Sequence, residues 1–184
     1  MKRIISPDEF RRDTLVLAQR VFEAGFHPTY VIGIARGGAG IAVQVHEYFL
    51  YRGFNPAIDF VFTHSYDPDG NRGQVNVRNI GGALGATTPE DHILFVDDVY
   101  DTGKSMAAIF HEASRILERN IRKQAMVATV YWKKKEGQRG NPDFYKERTE
   151  DEWLVFPHDL TVLDQLTDQE RQQHLGFELE KILT

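Results

Sequence analysis

The chain has 184 residues, 41% apolar and 27% charged, with 22 Lys and Arg against 27 Asp and Glu for a formal charge of −5. That is the length of one medium domain, able to bury about 70% of the surface its unfolded chain exposes. The chain has no cysteine, which excludes a disulfide scaffold, a zinc finger and a thiol nucleophile; with Pro7 and acids ahead of any apolar signal core and no run that spans a bilayer, a cytoplasmic protein is expected.

Ser6-Pro7-Asp8-Glu9 reads as a capping box with proline at the first helical position. Phe10, Thr14, Leu17, Ala18 and Val21 follow at helical spacing until Gly25. Tyr30–Ile34 is a short strand ending at the turn Ala35-Arg36-Gly37-Gly38-Ala39-Gly40, and Ile41–Tyr51 is a helix. Ile58–Thr63 is a second strand. The polar, Gly-rich stretch from His64 to Thr88 is too long for a plain connection, and loops of that size are often functional lids. Ile93–Val96 is a fully apolar third strand, followed by an acidic turn and a helix from about Thr102 to Arg119. Ala125–Trp132 is a fourth strand and Trp153–Phe156 a short fifth. Thr167-Asp168-Gln169-Glu170 opens a terminal helix with Leu175, Leu179 and Ile182 on one face, packed on the body or on a partner subunit. Strands alternating with helices predict a mostly parallel sheet flanked by helices, an α/β class. In such sheets ligands bind beyond the carboxyl ends of the strands, where the Gly-rich turn and the acidic turn both fall.

The charge is uneven. Residues 79–103 hold five acids (Glu90, Asp91, Asp97, Asp98, Asp101) and no base, whereas 104–146 are net +6 and 147–184 net −7. The central motif is Phe95-Val96-Asp97-Asp98-Val99-Tyr100-Asp101-Thr102-Gly103-Lys104-Ser105. An apolar strand delivers two adjacent carboxylates, then a small-residue loop opens a helix whose free N–H groups favour an anion. Gly103-Lys104-Ser105 suggests a P-loop, but that motif needs glycine where Asp98 stands, and a carboxylate there repels a triphosphate. A sugar phosphate fits better: loop amides and the Thr102 and Ser105 hydroxyls for the phosphate, carboxylates for hydroxyl groups or a magnesium ion. The plainer alternative is an acidic, solvated turn.

Residues 93–105 resemble the phosphoribosyl-diphosphate-binding motif of the type I phosphoribosyltransferases, with Tyr100 in place of the usual aliphatic. Within that family the chain is most similar to the 6-oxopurine branch, which makes hypoxanthine, guanine or xanthine nucleotides. The resemblance covers about residues 28–160. It implies one domain over 1–184: a core at about 28–135, a lid loop at 64–88, a small hood or base-binding segment at about 141–160, and a helical tail at 161–184. Asp97 and Asp98 would hold the ribose hydroxyls and, directly or through water, magnesium. Thr102, Gly103, Lys104 and Ser105 would cradle the 5′-phosphate, and Asp101 would sit near purine N7, sharing a proton and stabilising the positive charge that develops on the ribose.

The turn Ala35-Arg36-Gly37-Gly38 resembles the family's diphosphate loop. Arg36 and the amides of Gly37 and Gly38 would bind the leaving diphosphate, and Ala35–Arg36 is the candidate for a non-proline cis peptide. Taken alone, the turn serves chain geometry equally well. Ser65-Tyr66 matches a pair on the family's lid, which excludes water; Arg72 and Arg78 would help hold diphosphate or stay solvated. Lys133, directly after its strand, would donate to O6 of the base, although Lys134 and Lys135 follow it. Trp153-Leu154 matches the aromatic–aliphatic pair that stacks on the purine and reads its edge; the alternative is a core strand. Asp159 falls where relatives place an acid near the base or a second magnesium. Arg171 is too far downstream to match a diphosphate-binding arginine.

The resemblance thus implies a magnesium-dependent transferase that joins phosphoribosyl diphosphate to a purine base in purine salvage, as a homodimer or homotetramer, with no membrane and no nucleic-acid partner. Two alternatives stand beside it. One is a non-catalytic regulator on the same fold that senses phosphoribosyl diphosphate or a nucleotide, with the +6 segment offering an RNA-binding face. The other is the same chemistry on another base, against which Lys133 and Trp153 argue.

Overall fold

Ser6 starts the first helix as its sequence predicts, its hydroxyl accepting the Glu9 N–H at 3.2 Å with Pro7 in the first turn. Glu9 does not complete the box; its carboxylate receives the Arg3 guanidinium at 2.8 Å. The computed structural model describes residues 2–64, 75–150 and 152–176. In chain order these form β1 (Lys2–Ile4), α1 (Pro7–Glu23), β2 (Tyr30–Ala35), α2 (Gly37–Tyr51), β3 (Ala57–His64), β4 (Asn76–Arg78), α3 (Ile80–Leu84) and β5 (Ile93–Tyr100). There follow α4 (Lys104–Ile116), β6 (Ala125–Lys133), β7 (Phe144–Thr149), β8 (Trp153–Val155) and α5 (Asp168–Leu175).

Six strands make one sheet in the order β4-β3-β2-β5-β6-β7. All neighbours run parallel except β4, which pairs antiparallel with β3. The strand Ile93–Val96 is apolar throughout because both faces are covered. Leu94 and Val96 join Leu17 and Val21 of α1 and Ile41, Val45 and Phe49 of α2 in one layer. Ile93 and Phe95 pack with Leu84 of α3 and Met106 and Ile109 of α4 in the other. The predicted α/β class with a mostly parallel sheet flanked by helices is borne out.

A buried polar cluster fastens α1 to β6 and β7. Asp13 is fully buried and its Oδ2 accepts from the Tyr131 hydroxyl at 2.9 Å, with Lys146 Nζ at 2.7 Å. Burial, then the hydrogen bond to Asp13, holds the Tyr131 hydroxyl far above the usual phenol range. A carboxylate taken out of water is tolerated here because it is paired and hydrogen-bonded.

Four details differ from the sequence expectation. β5 runs on through Asp97 and Asp98 to Tyr100, so the paired acids sit at a strand end, not in a turn. The following helix is shorter than 102–119, beginning at Lys104 and ending at Ile116. The stretch 64–88 is not one open loop, since β4 and α3 lie within it; Ile80, Ala83 and Leu84 are buried there. The segment 141–160 is not wholly a hood: β7 is the edge strand of the main sheet, while β8 pairs with β1 outside it. β1 and β7 escaped prediction because neither alternates cleanly, and both are charged segments held by partners distant in sequence. Arg3, for example, reaches Glu147 at 2.6 Å.

Candidate active site

β2 and β5 are neighbours at the middle of the sheet, yet the chain leaves them in opposite directions, toward β3 through α2 and toward β6 through α4. Their carboxyl ends therefore flank the crevice where open α/β sheets bind ligands. The Ala35–Arg36 peptide, the predicted bond, is cis, and α2 starts immediately after it. A Cβ on Gly37 would run into the Asp98 carboxylate, and one on Gly38 into the Val96 carbonyl. Only glycine lets the first turn close onto the acidic strand end. Arg36 stands exposed at the rim.

The two acids at the end of β5 are held by their own backbone. Asp97 Oδ1 accepts the Asp98 N–H at 3.0 Å, and Asp98 Oδ1 accepts the Val99 N–H at 2.6 Å. Desolvation, and then the negative charge of Asp98, push the Asp97 carboxyl well above the usual range. The other oxygen of Asp98 lies 3.2 Å from Nε2 of His158, whose side chain is 34% exposed. That imidazole stacks on Phe156, with ring centres 5.4 Å apart and planes 3° from parallel. Burial opposes its protonation, but the hydrogen bond to Asp98 and the charges of Asp98 and Asp159 outweigh it and raise the pKa. Asp159 folds back to accept the Phe156 N–H at 3.1 Å and lies 3.9 Å from His158.

These oxygens fit magnesium. The donors are hard carboxylates, and the like charge at Asp97 and Asp98 is what a divalent cation relieves. Among the described residues no group of three or more His, Cys, Asp or Glu could cage a metal by itself. Magnesium sites of the phosphate-handling kind need no such cage, because water and substrate oxygens complete the shell.

After Tyr100 the chain forms a tight loop. Gly103 has φ of 72° and stands at the N-terminal cap of α4, a left-handed conformation that suits glycine. Its missing side chain leaves room for the Arg139 carbonyl. Thr102 and Lys104 are exposed and Ser105 half-buried, so hydroxyls and the first amides of the helix are presented together; Thr102 Oγ1 accepts the Lys104 N–H at 3.4 Å. Asp101 is paired with Lys135 at 2.8 Å. The lysine run is divided: Lys133 ends β6, Lys134 lies over the Trp132 ring at 5.6 Å, and Lys135 meets Asp101.

The structure thus brings Gly37, Gly38, Asp97 and Asp98 together, with Arg36 and the Asp101–Ser105 loop at the same sheet end. Trp153 and Leu154 lie on β8, with Trp153 46% exposed and Leu154 buried. They connect to the crevice through Phe156 and His158. Arg78 donates to His64 at 2.7 Å, and Arg171 is engaged with the Leu163 carbonyl at 2.8 Å and with Asp168. Ser65, Tyr66 and Arg72 lie outside the described residues. Sequence reasoning missed His158, Lys135 and Gln138. His158 carried a weak signal as an imidazole beside Asp159; Gln138 carried none.

Residues 11–165 match the phosphoribosyl transferase domain family, and the chain belongs to it. The xanthine-guanine phosphoribosyltransferase of Desulfotalea psychrophila is 28% identical over 159 residues, 84% of each chain. In structure the chain is similar to a hypothetical protein from Neisseria gonorrhoeae with bound ppGpp, at 21% identity and a TM-score of 0.72, over 96% of this chain and 97% of that one. It is also similar to the xanthine-guanine-hypoxanthine phosphoribosyltransferase of Helicobacter pylori, at 17% identity and a TM-score of 0.69, over 90% and 98%. The resemblance drawn from residues 93–105 is borne out, and with it the expectation of a transferase. No helix among the described residues is long and apolar enough to cross a membrane.

Proposed function

We propose that the chain transfers the 5-phosphoribosyl group of phosphoribosyl diphosphate to N9 of a 6-oxopurine, yielding a nucleoside monophosphate and diphosphate. The observation that carries this reading is the closure of the Arg36–Gly38 turn onto Asp98 at the switch point of the sheet. It sets a diphosphate-type loop against paired carboxylates suited to vicinal ribose hydroxyls. The Thr102–Ser105 loop takes the 5′-phosphate at the start of α4. Arg36 and the amides of Gly37 and Gly38 take the leaving diphosphate, and magnesium bound at Asp97 and Asp98 supplies charge neutralisation for it.

As the glycosidic centre gains positive charge, Asp101 stabilises it and shares the purine N7 proton. Lys135 holds that carboxylate until a base arrives. Lys133 donates to O6, which is an acceptor in 6-oxopurines, and Trp153 offers an exposed ring for stacking. Asp159 fixes the Phe156–Asp159 turn and belongs near the base or a second magnesium. Ser65 and Tyr66 serve the lid that excludes water, and the xanthine-guanine relative supports the choice of base class.

The test is diphosphate release from phosphoribosyl diphosphate and magnesium with hypoxanthine, guanine, xanthine or adenine, beside Asp101→Asn. Turnover is expected with at least one 6-oxopurine, and a loss of about 10²-fold or more in Asp101→Asn. No diphosphate from any base, with nucleotide binding retained, would mark a sensing protein on this fold instead.

A further inference from the structure

Resting on that reading, we propose that Gln138 is a positioning residue that sets 6-oxopurine specificity, by fastening the residue that meets N7 to the residue that meets O6. Gln138 lies in the connection between β6 and β7. Its side-chain nitrogen donates to the backbone carbonyl of Lys133 at 3.1 Å and to the backbone carbonyl of Asp101. Its side-chain oxygen accepts the indole N–H of Trp132 at 2.9 Å. The orientation of the amide is dictated by these partners: two carbonyls require the NH2 group, and an indole N–H requires the oxygen.

One nitrogen therefore holds the backbones of Asp101 and Lys133 within about two hydrogen-bond lengths, or roughly 6 Å, of each other. In the reacting 6-oxopurine N7 carries the proton that Asp101 shares and O6 beside it is an acceptor, whereas adenine presents a 6-amino donor at that position. A lysine aimed at position 6 rejects adenine only while its spacing from Asp101 is fixed. The loop is anchored on its far side as well. Arg139 N–H donates to the Thr102 carbonyl at 3.0 Å, and the Tyr100 hydroxyl donates to the Arg139 carbonyl at 2.6 Å. With both flanks pinned, the side chain of Gln138 adds to the β5–β6 ladder, which pairs Tyr100 with Trp132, and to the Asp101–Lys135 ion pair a link that ties the backbone carbonyls of Asp101 and Lys133 to one side chain.

The experiment uses the full chain with Gln138→Met, which keeps the length without hydrogen bonds, and Gln138→Glu, which keeps the acceptor for Trp132 but no donor. Steady-state kinetics with a 6-oxopurine, with adenine and with phosphoribosyl diphosphate are joined by calorimetric binding of GMP and AMP. Both variants are expected to raise KM for the oxopurine about 10-fold and to cut oxopurine-over-adenine discrimination by about 10-fold or more. KM for phosphoribosyl diphosphate should stay within about 3-fold, and GMP binding should weaken more than AMP binding. Unchanged discrimination in both kinetics and calorimetry overturns the inference, as does an equal loss for both substrates. If the wild-type protein turns over no base, the functional reading falls and takes this inference with it. If it turns over oxopurines and the variants keep its base preference, only the role of Gln138 falls.

Discussion

Gly37→Ala separates the geometry of the site from the stability of the helix that carries it. Gly37 is the first residue of α2, where alanine normally stabilises by up to about 1 kcal/mol through helix propensity and a less free unfolded chain. Here the added methyl lands on the Asp98 carboxylate. To clear it, Asp98 must give up its hydrogen bond from the Val99 N–H, its contact with His158, or both. Each hydrogen bond to a charged group is worth about 1.5–3 kcal/mol, so losing one against a full propensity gain of about 1 kcal/mol leaves a net destabilisation of about 0.5–2 kcal/mol. For a chain of this length that is a fall of roughly 1–8 °C in Tm. Displacing the carboxylate by about 1 Å should lower kcat/KM by about 10²-fold. Gly40→Ala is the control, because a Cβ there meets nothing within 4 Å. It should keep full activity and gain up to about 1 kcal/mol. Thermal unfolding and diphosphate release on the two variants read both quantities. If Gly37→Ala matches Gly40→Ala in stability and turnover, the proposed contact between turn and carboxylate is wrong.

Asp13→Ala leaves Lys146 and the Tyr131 hydroxyl without their buried partner, and should cost about 3–5 kcal/mol in urea unfolding; Tyr131→Phe, which removes a single hydrogen bond, should cost about 1–2 kcal/mol. Trp153→Ala removes an exposed ring, so base KM should rise by an amount equivalent to about 1–3 kcal/mol while Tm barely moves; a normal base KM would deny Trp153 a stacking role. His174 on α5 is fully buried, and burial lowers its pKa below the ordinary 6.5. Its folded form therefore favours the neutral ring: the stabilisation is complete above pH 6.5 and fades as pH falls through the lowered folded value. His158 has the opposite shift, so the two are separated by variants. His174→Leu should lose less stability than wild type between pH 7.5 and pH 5, and equal losses would refute the assignment.

The sequence carried the site's chemistry further than its architecture. Asp97-Asp98 and Asp101-Thr102-Gly103-Lys104-Ser105 were legible because each position has a local physical reason: an apolar strand, a left-handed glycine at 103, hydroxyls before a helix. The terminal capping box was legible for the same reason, and Thr167 and Glu170 make both of its hydrogen bonds. What stayed hidden depends on contacts between distant segments. Lys133, Lys134 and Lys135 are equivalent as a run of letters, and only the fold tells them apart: Lys133 ends β6, Lys134 lies over the Trp132 ring and Lys135 meets Asp101. β7 reads as Phe-Tyr-Lys-Glu-Arg-Thr with little alternation, and it becomes a strand because β6 lies beside it and Arg3, Asp13 and Arg20 come from elsewhere to satisfy it.

The same separation resolves the charge of residues 79–103. Asp91 belongs to the amino end of β5, where its carboxylate accepts the Thr88 N–H at 2.7 Å and the Thr29 hydroxyl at 2.8 Å and its pKa is lowered by these bonds. Asp97, Asp98 and Asp101 lie at the other end of the strand. Asp91 and Asp97 are six residues apart, about 20 Å along an extended chain, well past the roughly 8 Å over which exposed charges act at physiological salt. The two groups of acids are therefore electrostatically independent, and this segment contributes three carboxylates to the crevice, facing Arg36 and Lys104 at the same sheet end. Two of the carboxylates already have basic partners, Lys135 at Asp101 and His158 at Asp98, while burial, and then the charge of Asp98, disfavours the ionised form of Asp97. A polyanionic substrate adds negative charge there, so diphosphate and divalent cation should bind with positive coupling, each tightening the other by the same factor.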